Sequence, residues 1–137
     1  MSLSSYIRRG RHCVFSLHVH LVFVAKYRKK VFDGDALQRL QVIFRKVCGD
    51  FQAQLAEMNG EAQLVHLLVN YPPKRSVSSL VNSLKGVSSR LLRRERPDLE
   101  KRYWNEVLWS PSYLAASCGG APPGILKQYL EQQKTPL

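Results

Sequence analysis

The sequence predicts a small α+β domain in which an antiparallel sheet is covered by amphipathic helices. Three observations favour this class: apolar runs rich in β-branched and aromatic residues, two segments with apolar residues at helical spacing, and a hairpin signal between those segments. The chain has 137 residues, which suits a single domain over residues 1–137 and excludes a two-domain enzyme.

The first part of the chain predicts a strand followed by a helix. The run from Cys13 to Ala25 has the composition of a central strand. A basic turn comes next, and Asp33 or Asp35 is placed to cap the helix that follows. The apolar residues of that helix are Leu37, Leu40, Ile43, Phe44 and Val47.

A hairpin is predicted in the middle of the chain. Two extended arms, at 52–57 and 62–71, flank the dipeptide Asn59-Gly60. This dipeptide is typical of tight hairpin turns because both of its positions tolerate positive φ. The sequence therefore predicts the turn at residues 59 and 60.

A second helix and two shorter elements complete the pattern. Ser76 is placed to cap a helix over 77–95, and Pro97 ends it. The order β-α-β-β-α-β predicts a ferredoxin-like sheet with its helices packed on one face, plus an appended C-terminal helix. The last elements are a short extended pair, 107–109 with 112–117, and a helix from Ile125 to about Lys134.

The charge balance predicts a polyanionic partner. Lys and Arg number 21 against 10 Asp and Glu, a formal net charge of +11. Such an excess attracts phosphate backbones, although a charged run is also common on a merely solvated face. Tyrosines at positions 6, 27 and 71 lie among the cations and are suited to stacking on unpaired bases. The predicted nucleic-acid contacts are Arg11, Lys26, Arg28, Lys29, Lys74 and Lys85.

Cysteines and hydropathy predict a cytoplasmic protein. The 3 cysteines are odd in number and far apart, which suits neither a disulfide framework nor a CxxC zinc site. No apolar run approaches the length of a spanning helix, so no membrane partner is expected. The alternative, attraction to an anionic membrane surface, has only the segment 76–94 as a candidate amphipathic helix.

Histidines mark two predicted strands. His18 and His20 are two residues apart and share one strand face, which is compatible with a shared metal ion and equally with two packed side chains. His66 interrupts the apolar run 64–69 and is interpreted either as a core histidine or as a metal ligand. The pattern alone leaves both questions open.

The predicted C-terminal helix brings two polar side chains together. Tyr129 and Gln133 are four residues apart and share one helix face. A half-buried tyrosine anchor with a solvated hydroxyl is the alternative interpretation of Tyr129.

Five segments together resemble one family, the small single-tyrosine transposases of the insertion sequence 200/605 type. Their nucleases carry a His-hydrophobic-His motif. The resemblance runs almost end to end and rests on LHVHLVFVAKYRKKVF (17–32), VHLLVNYPPK (65–74), LVNSLKGVSSRLLR (80–93), LWSPSYLAASCGGAP (108–122) and ILKQYLEQQ (125–133).

The resemblance implies a function and a set of site residues. It implies a homodimer that binds single-stranded DNA hairpins at the ends of its element and cuts them through a 5′-phosphotyrosine. Tyr129 is then the nucleophile, and His66 and Gln133 are ligands of Mg²⁺ or Mn²⁺.

One motif position departs from the family pattern. Leu64 stands where the first motif histidine belongs, and Gln63 stands where an acidic residue usually precedes it. We therefore expect weak or absent metal binding and weakened or lost cleavage. The alternatives are a catalytically dead or domesticated nucleic-acid-binding protein of the same fold, and an RNA binder with aromatic residues on its strands. A further hypothesis places His18 or His20 beside His66, where it restores coordination.

Overall fold

A computed structural model describes residues 8–10, 14–101, 107–117 and 130–132. The helices are α1 (Gly34–Asp50), α2 (Val77–Glu95) and the single turn α3 (Pro97–Leu99), with a short 3₁₀ turn at Lys26–Arg28. The strands are β1 (Arg8–Arg9), β2 (Val14–Phe15), β3 (His18–Val24), β4 (Gln54–Gly60), β5 (Leu64–Asn70) and β6 (Leu114–Ser117).

The main sheet has four strands in the order β4-β5-β3-β6, and every neighbouring pair is antiparallel. With α1 and α2 as the two connections, this is the predicted ferredoxin-like arrangement, so the fold class is confirmed. The predicted first strand at 13–25 is interrupted, however. Val14–Phe15 pairs with Arg8–Arg9 in a separate two-stranded ribbon, and only His18–Val24 joins the main sheet.

Both major helices begin at the predicted caps. The Asp33 carboxylate accepts a hydrogen bond from the Ala36 N–H at 2.8 Å, and the Ser76 hydroxyl accepts one from the Ser79 N–H at 3.1 Å. These bonds satisfy N–H groups that a helix start otherwise leaves without partners.

The hairpin between β4 and β5 exists, but its predicted turn at Asn59-Gly60 is wrong. Both residues lie inside β4, and the chain reverses at Ala62 and Gln63, where the Glu61 N–H donates to the Leu64 carbonyl at 2.9 Å. Gly60 has another reason to be glycine: a Cβ there would clash with Cδ2 of Leu37. The glycine allows α1 to approach the sheet closely.

The main core lies between the helices and one face of the sheet. Odd-numbered residues of β3 and β5 point into it, and Phe23 contacts Phe44 and Trp109 edge to face. The Trp109 indole N–H donates to the buried Ser88 hydroxyl at 3.0 Å. The predicted strand at 107–109 is reduced to one bridge between Trp109 and Ala25.

The predicted C-terminal helix is described only at residues 130–132, which are helical. The rest of 125–134 lies outside the described residues. Within the described part of the chain, no helix is long and apolar enough to cross a membrane.

Candidate active site

The sheet face opposite the helices carries the predicted histidines. Side chains alternate along a strand, so the even-numbered residues of β3 and β5 share this face. We call it the open face. It holds His18, His20, Val22 and Val24 from β3, and Leu64, His66, Leu68 and Asn70 from β5.

His20 and His66 meet at the centre of the open face. Nε2 of His20 lies 3.3 Å from Nδ1 of His66, and the ring planes are 25° apart with centroids separated by 5.4 Å. The prediction that a β3 histidine lies beside His66 is therefore confirmed for His20. Burial lowers the pKa of His66, the charge on His20 lowers it further, and the Glu61 carboxylate raises it.

Leu64 closes the other side of His66 with apolar surface. It is 1% exposed and packs with Val22 and Val24 in a small cluster. The register places Leu64 opposite Val24 and His66 opposite Val22. A leucine at this position thus continues an apolar surface and offers no ligand atom.

The described residues do not fit the Mg²⁺ or Mn²⁺ that the resemblance implies. Mg²⁺ prefers six oxygen ligands in near-ideal octahedral geometry. Here the donors that meet are two imidazole nitrogens, His20 and His66, flanked by buried Leu64. No group of three His, Cys, Asp or Glu residues in the described ranges is placed to hold a metal ion.

The C-terminal segment reaches the open face at one described residue. Leu130 is half-buried and packs against the cluster formed by Val22, Val24 and Leu64. Tyr129 and Gln133, the predicted nucleophile and helix ligand, lie outside the described residues.

Three of the predicted phosphate contacts lie in one turn after β3. Lys26, Arg28 and Lys29 flank Tyr27 in the sequence. Tyr27 is 42% exposed, and its ring centroid lies 5.4 Å from the Lys26 ammonium. Tyr27 and Arg28 both have positive φ, at 57° and 56°. Consecutive non-glycine residues in this region are uncommon, and such strain is often found at functional turns. We call residues 26–30 the basic turn.

The other predicted contacts are not gathered there. Lys74 is exposed and follows β5 at the opposite end of the sheet. Arg11 lies outside the described residues. Lys85 is turned inward, where its ammonium donates to the carbonyls of Ser110 at 2.6 Å and Ser112 at 3.2 Å. Burial lowers the pKa of Lys85. Its two hydrogen bonds tie α2 to the segment before β6, and its contact with phosphate stays a prediction.

Sequence reasoning missed the neighbours that β4 contributes to the open face. Asn59 is the cross-strand partner of His66, and Glu57 that of Leu68, and both are exposed. Placing the turn at Asn59-Gly60 hid them, since it removed Asn59 from the strand and gave Glu57, inside the predicted arm 52–57, the wrong register against β5. The signal that finds them is the alternation along β4 once the turn is moved to residues 62 and 63.

Sequence reasoning also missed Arg96, which gathers several carboxylates around one guanidinium. Its guanidinium binds Asp33, Asp35 and Asp98 at distances of 2.7–3.0 Å. Further ion pairs join Arg39 to Glu95 and Arg93 to Glu100. Five carboxylates are therefore drawn to the helix side of the molecule.

A ferredoxin-like sheet with histidines on its open face and a basic turn at the end of a central strand suits a small protein that acts on nucleic acid. Residues 13–133 match the family of IS200-like transposases, and the chain belongs to this family. The family resemblance seen in the sequence is thereby confirmed.

Two curated relatives cover most of the chain. The ISDra2 transposase TnpA of Deinococcus radiodurans is 29% identical over 127 residues, which are 93% of this chain and 91% of that protein. The IS200 transposase of Salmonella typhimurium is 33% identical over 126 residues, 90% of this chain and 83% of that protein.

Solved structures agree with the fold. A candidate transposase from Deinococcus radiodurans R1 superposes with a TM-score of 0.82 at 28% identity, covering 94% of this chain and 99% of that one. A REP-associated tyrosine transposase, solved with a REP hairpin, gives a TM-score of 0.57 at 13% identity over 91% of this chain and 67% of that one. The second likeness shows the shared fold.

Proposed function

We propose that this chain is an insertion-sequence transposase that binds single-stranded DNA hairpins at element ends, with strand cleavage through Tyr129 weakened by Leu64. The observation that carries the proposal is the family match over 13–133, a range that includes Tyr129 and Gln133. The hairpin in the structure of the REP-associated relative supports the choice of substrate. The bacterial or archaeal cytoplasm is the proposed location.

The proposed reaction is a phosphoryl transfer to tyrosine. The Tyr129 hydroxyl gives up its proton and attacks the scissile phosphorus, forming a bond from its oxygen to phosphorus. The bond from phosphorus to the 3′ oxygen breaks, and that oxygen takes a proton and leaves as a 3′-hydroxyl. The 5′-phosphotyrosine conserves the bond energy, so an incoming 3′-hydroxyl rejoins the strand by the reverse step.

The basic turn is the proposed entry point for the DNA. Three of its cations, Lys26, Arg28 and Lys29, supply phosphate contacts, and the exposed Tyr27 ring offers a stacking surface for an unpaired base. The turn follows β3 directly, at the end where β3 pairs with the start of β5. A strand bound there lies beside the open face.

We also propose a homodimer, as the family resemblance implies. In a dimer each C-terminal helix serves its own site or that of its partner. Mixing a Tyr129→Phe chain with a chain defective in DNA binding distinguishes the two arrangements: cleavage by the mixture alone indicates sharing between protomers.

Covalent capture tests the chemistry. A labelled hairpin strand incubated with the protein and Mn²⁺ is expected to give a faint protein-DNA adduct that survives denaturation. Tyr129→Phe removes the nucleophilic oxygen and is expected to give none, while binding the same DNA equally well. An equal adduct from Tyr129→Phe would refute the role of Tyr129.

The burial of Leu64 in an apolar cluster favours a second candidate, a DNA-binding protein without catalysis. Tight hairpin binding with no adduct in the parent chain would establish it. Leu64→His separates the two further: a gain of metal-dependent cleavage shows that Leu64 alone limits an otherwise working site. Leu64→Asn, which introduces a polar side chain of poor affinity for metal, is the matched control.

A further inference from the structure

We propose that His20 and His66 form a binding site for a nitrogen-preferring transition-metal ion, with Zn²⁺ or Co²⁺ as the ion to test. This site differs from the Mg²⁺ or Mn²⁺ site that the family implies, because its protein ligands are two imidazoles from neighbouring strands. It concerns this chain's own histidines and holds whether or not Tyr129 cleaves DNA.

The separation of the two ring nitrogens carries the proposal. Nε2 of His20 and Nδ1 of His66 lie 3.3 Å apart. Two nitrogens bound at about 2.0–2.1 Å to one tetrahedral ion also lie about 3.3 Å apart. The backbone register and the side-chain conformations therefore already hold the pair at the spacing that one ion requires.

Binding requires a change of tautomer and a rotation of the rings. In the hydrogen-bonded pair one contacting nitrogen carries a proton and donates it in a hydrogen bond, and the other nitrogen accepts that hydrogen bond. Moving that proton to the outer nitrogen of the same ring leaves two lone pairs directed at the gap between the rings. A small rotation of the rings then points both lone pairs at one ion.

The surroundings leave room for the remaining ligands. Both imidazoles are half-buried, so one side of the pair is open to solvent. Asn59 on β4 is the cross-strand partner of His66 and is exposed on the same face. Water completes the coordination, and with two protein ligands the affinity is lower than that of a four-ligand structural zinc site.

The position of His20 explains why it does not replace the missing motif histidine. His20 is opposite Leu68, while Leu64 is opposite Val24, so the two lie on opposite sides of His66 along the strand. An ion between His20 and His66 is thus displaced along β5, away from Leu64, by part of the roughly 7 Å that two strand residues span. Imidazole favours zinc, cobalt, nickel and copper over Mg²⁺, so the displaced site has a different metal preference.

Metal titration of the full-length, untagged and metal-free chain tests the proposal without DNA. Calorimetry with Zn²⁺ and visible absorption with Co²⁺ are expected to show one equivalent bound. His20→Asn and His66→Asn are each expected to weaken binding at least about ten-fold, because each removes a direct ligand. Excess Mg²⁺ is expected not to compete.

His18→Asn is the matched control, since His18 is on the same strand and the same face. It is expected to leave the affinity unchanged. His18 is buried, so His12→Asn serves as a second control should His18→Asn unfold. Circular dichroism confirms that each variant keeps its fold.

Two results would overturn the proposal: affinity unchanged in both His20→Asn and His66→Asn, or an intense sulfur-to-cobalt charge-transfer band, which would place the ion on a cysteine. Hairpin binding by the same preparations is a separate readout. Absence of metal binding by the parent chain, with its DNA binding intact, refutes this inference alone, and absence of DNA binding by the parent chain, with metal bound, refutes the proposed function alone.

Discussion

The two faces of the sheet differ in what they do for the molecule. On the covered face, β3 contributes Leu21 and Phe23, both fully buried against the helices. On the open face the same strand contributes His20, which is half-buried and contacts His66. Adjacent residues of one strand thus serve packing on one side and the proposed site on the other.

Leu64 shows what this division permits. On the open face it packs with Val22 and Val24 in an apolar cluster of its own. The helix-covered core is not involved. The family fold is therefore compatible with the proposed loss of a ligand at residue 64, because that residue packs outside the helix-covered core.

The largest expected effect tests the covered face. Phe23→Ala removes a ring that packs on Phe44 and Trp109, and we expect the free energy of unfolding to fall by about 3–5 kcal/mol. His20→Ala on the open face is expected to cost under about 1.5 kcal/mol, since a half-buried side chain and one hydrogen bond are lost. Urea denaturation measures both. Equal losses of unfolding free energy in the two variants would show that the open face contributes as much to stability as the covered face.

The next effect is expected at Leu64. Leu64→His places an imidazole in an apolar cluster, and we expect a loss of about 2 kcal/mol in the free energy of unfolding. Leu64→Ala is the control, with a loss of at least about 2 kcal/mol from the cavity it leaves. Added Mn²⁺ is expected to raise the melting temperature of Leu64→His and not that of Leu64→Ala. The same response in both variants would contradict a regained ligand.

The comparison also shows which parts of the structure the sequence could predict. The caps Asp33 and Ser76 and the full extent of α2 were predictable, because capping and helical periodicity are local properties. The hairpin turn was not, because Gly60 lies inside β4, where the side chain of Leu37 from a distant helix packs closely against it. Local signals failed where a tertiary contact explains the residue.

The site was predictable in part for the same reason. The adjacency of a β3 histidine and His66 followed from the strand order, whereas the choice of His20 over His18 depends on register. The inward position of Lys85 could not be predicted, since the helical pattern does not show that two carbonyls lie within reach. The roles of Tyr129 and Gln133 stay predictions.

Two lysines extend the comparison to DNA binding. Lys85→Met is expected to lower the free energy of unfolding by about 1–2 kcal/mol, because the Ser110 and Ser112 carbonyls lose their donor. It is expected to leave the salt dependence of hairpin binding unchanged. Lys26→Met in the basic turn is expected to leave the free energy of unfolding unchanged and to reduce the slope of log affinity against log salt by roughly 0.7. Filter binding over a salt series measures the slope for each variant. A reduced slope in Lys85→Met would show that Lys85 contacts DNA phosphate.

The smallest effect on the free energy of unfolding is expected at the carboxylates around Arg96, on the helix side of the molecule. Hydrogen bonding to Arg96 lowers the pKa of Asp33 from 3.8 to about 2. A depressed carboxyl pKa stabilises the fold above the unfolded value, and this contribution is lost as the pH falls from about 4 to about 2. Asp33 is half exposed, so we expect solvent screening to hold the contribution below about 1 kcal/mol. Urea midpoints across this window should converge for the parent and Arg96→Met as the acid limit is approached, while Lys30→Met, outside the cluster, should track the parent throughout. A constant gap between the parent and Arg96→Met would mean that Arg96 stabilises the fold by packing and not through the charge of Asp33.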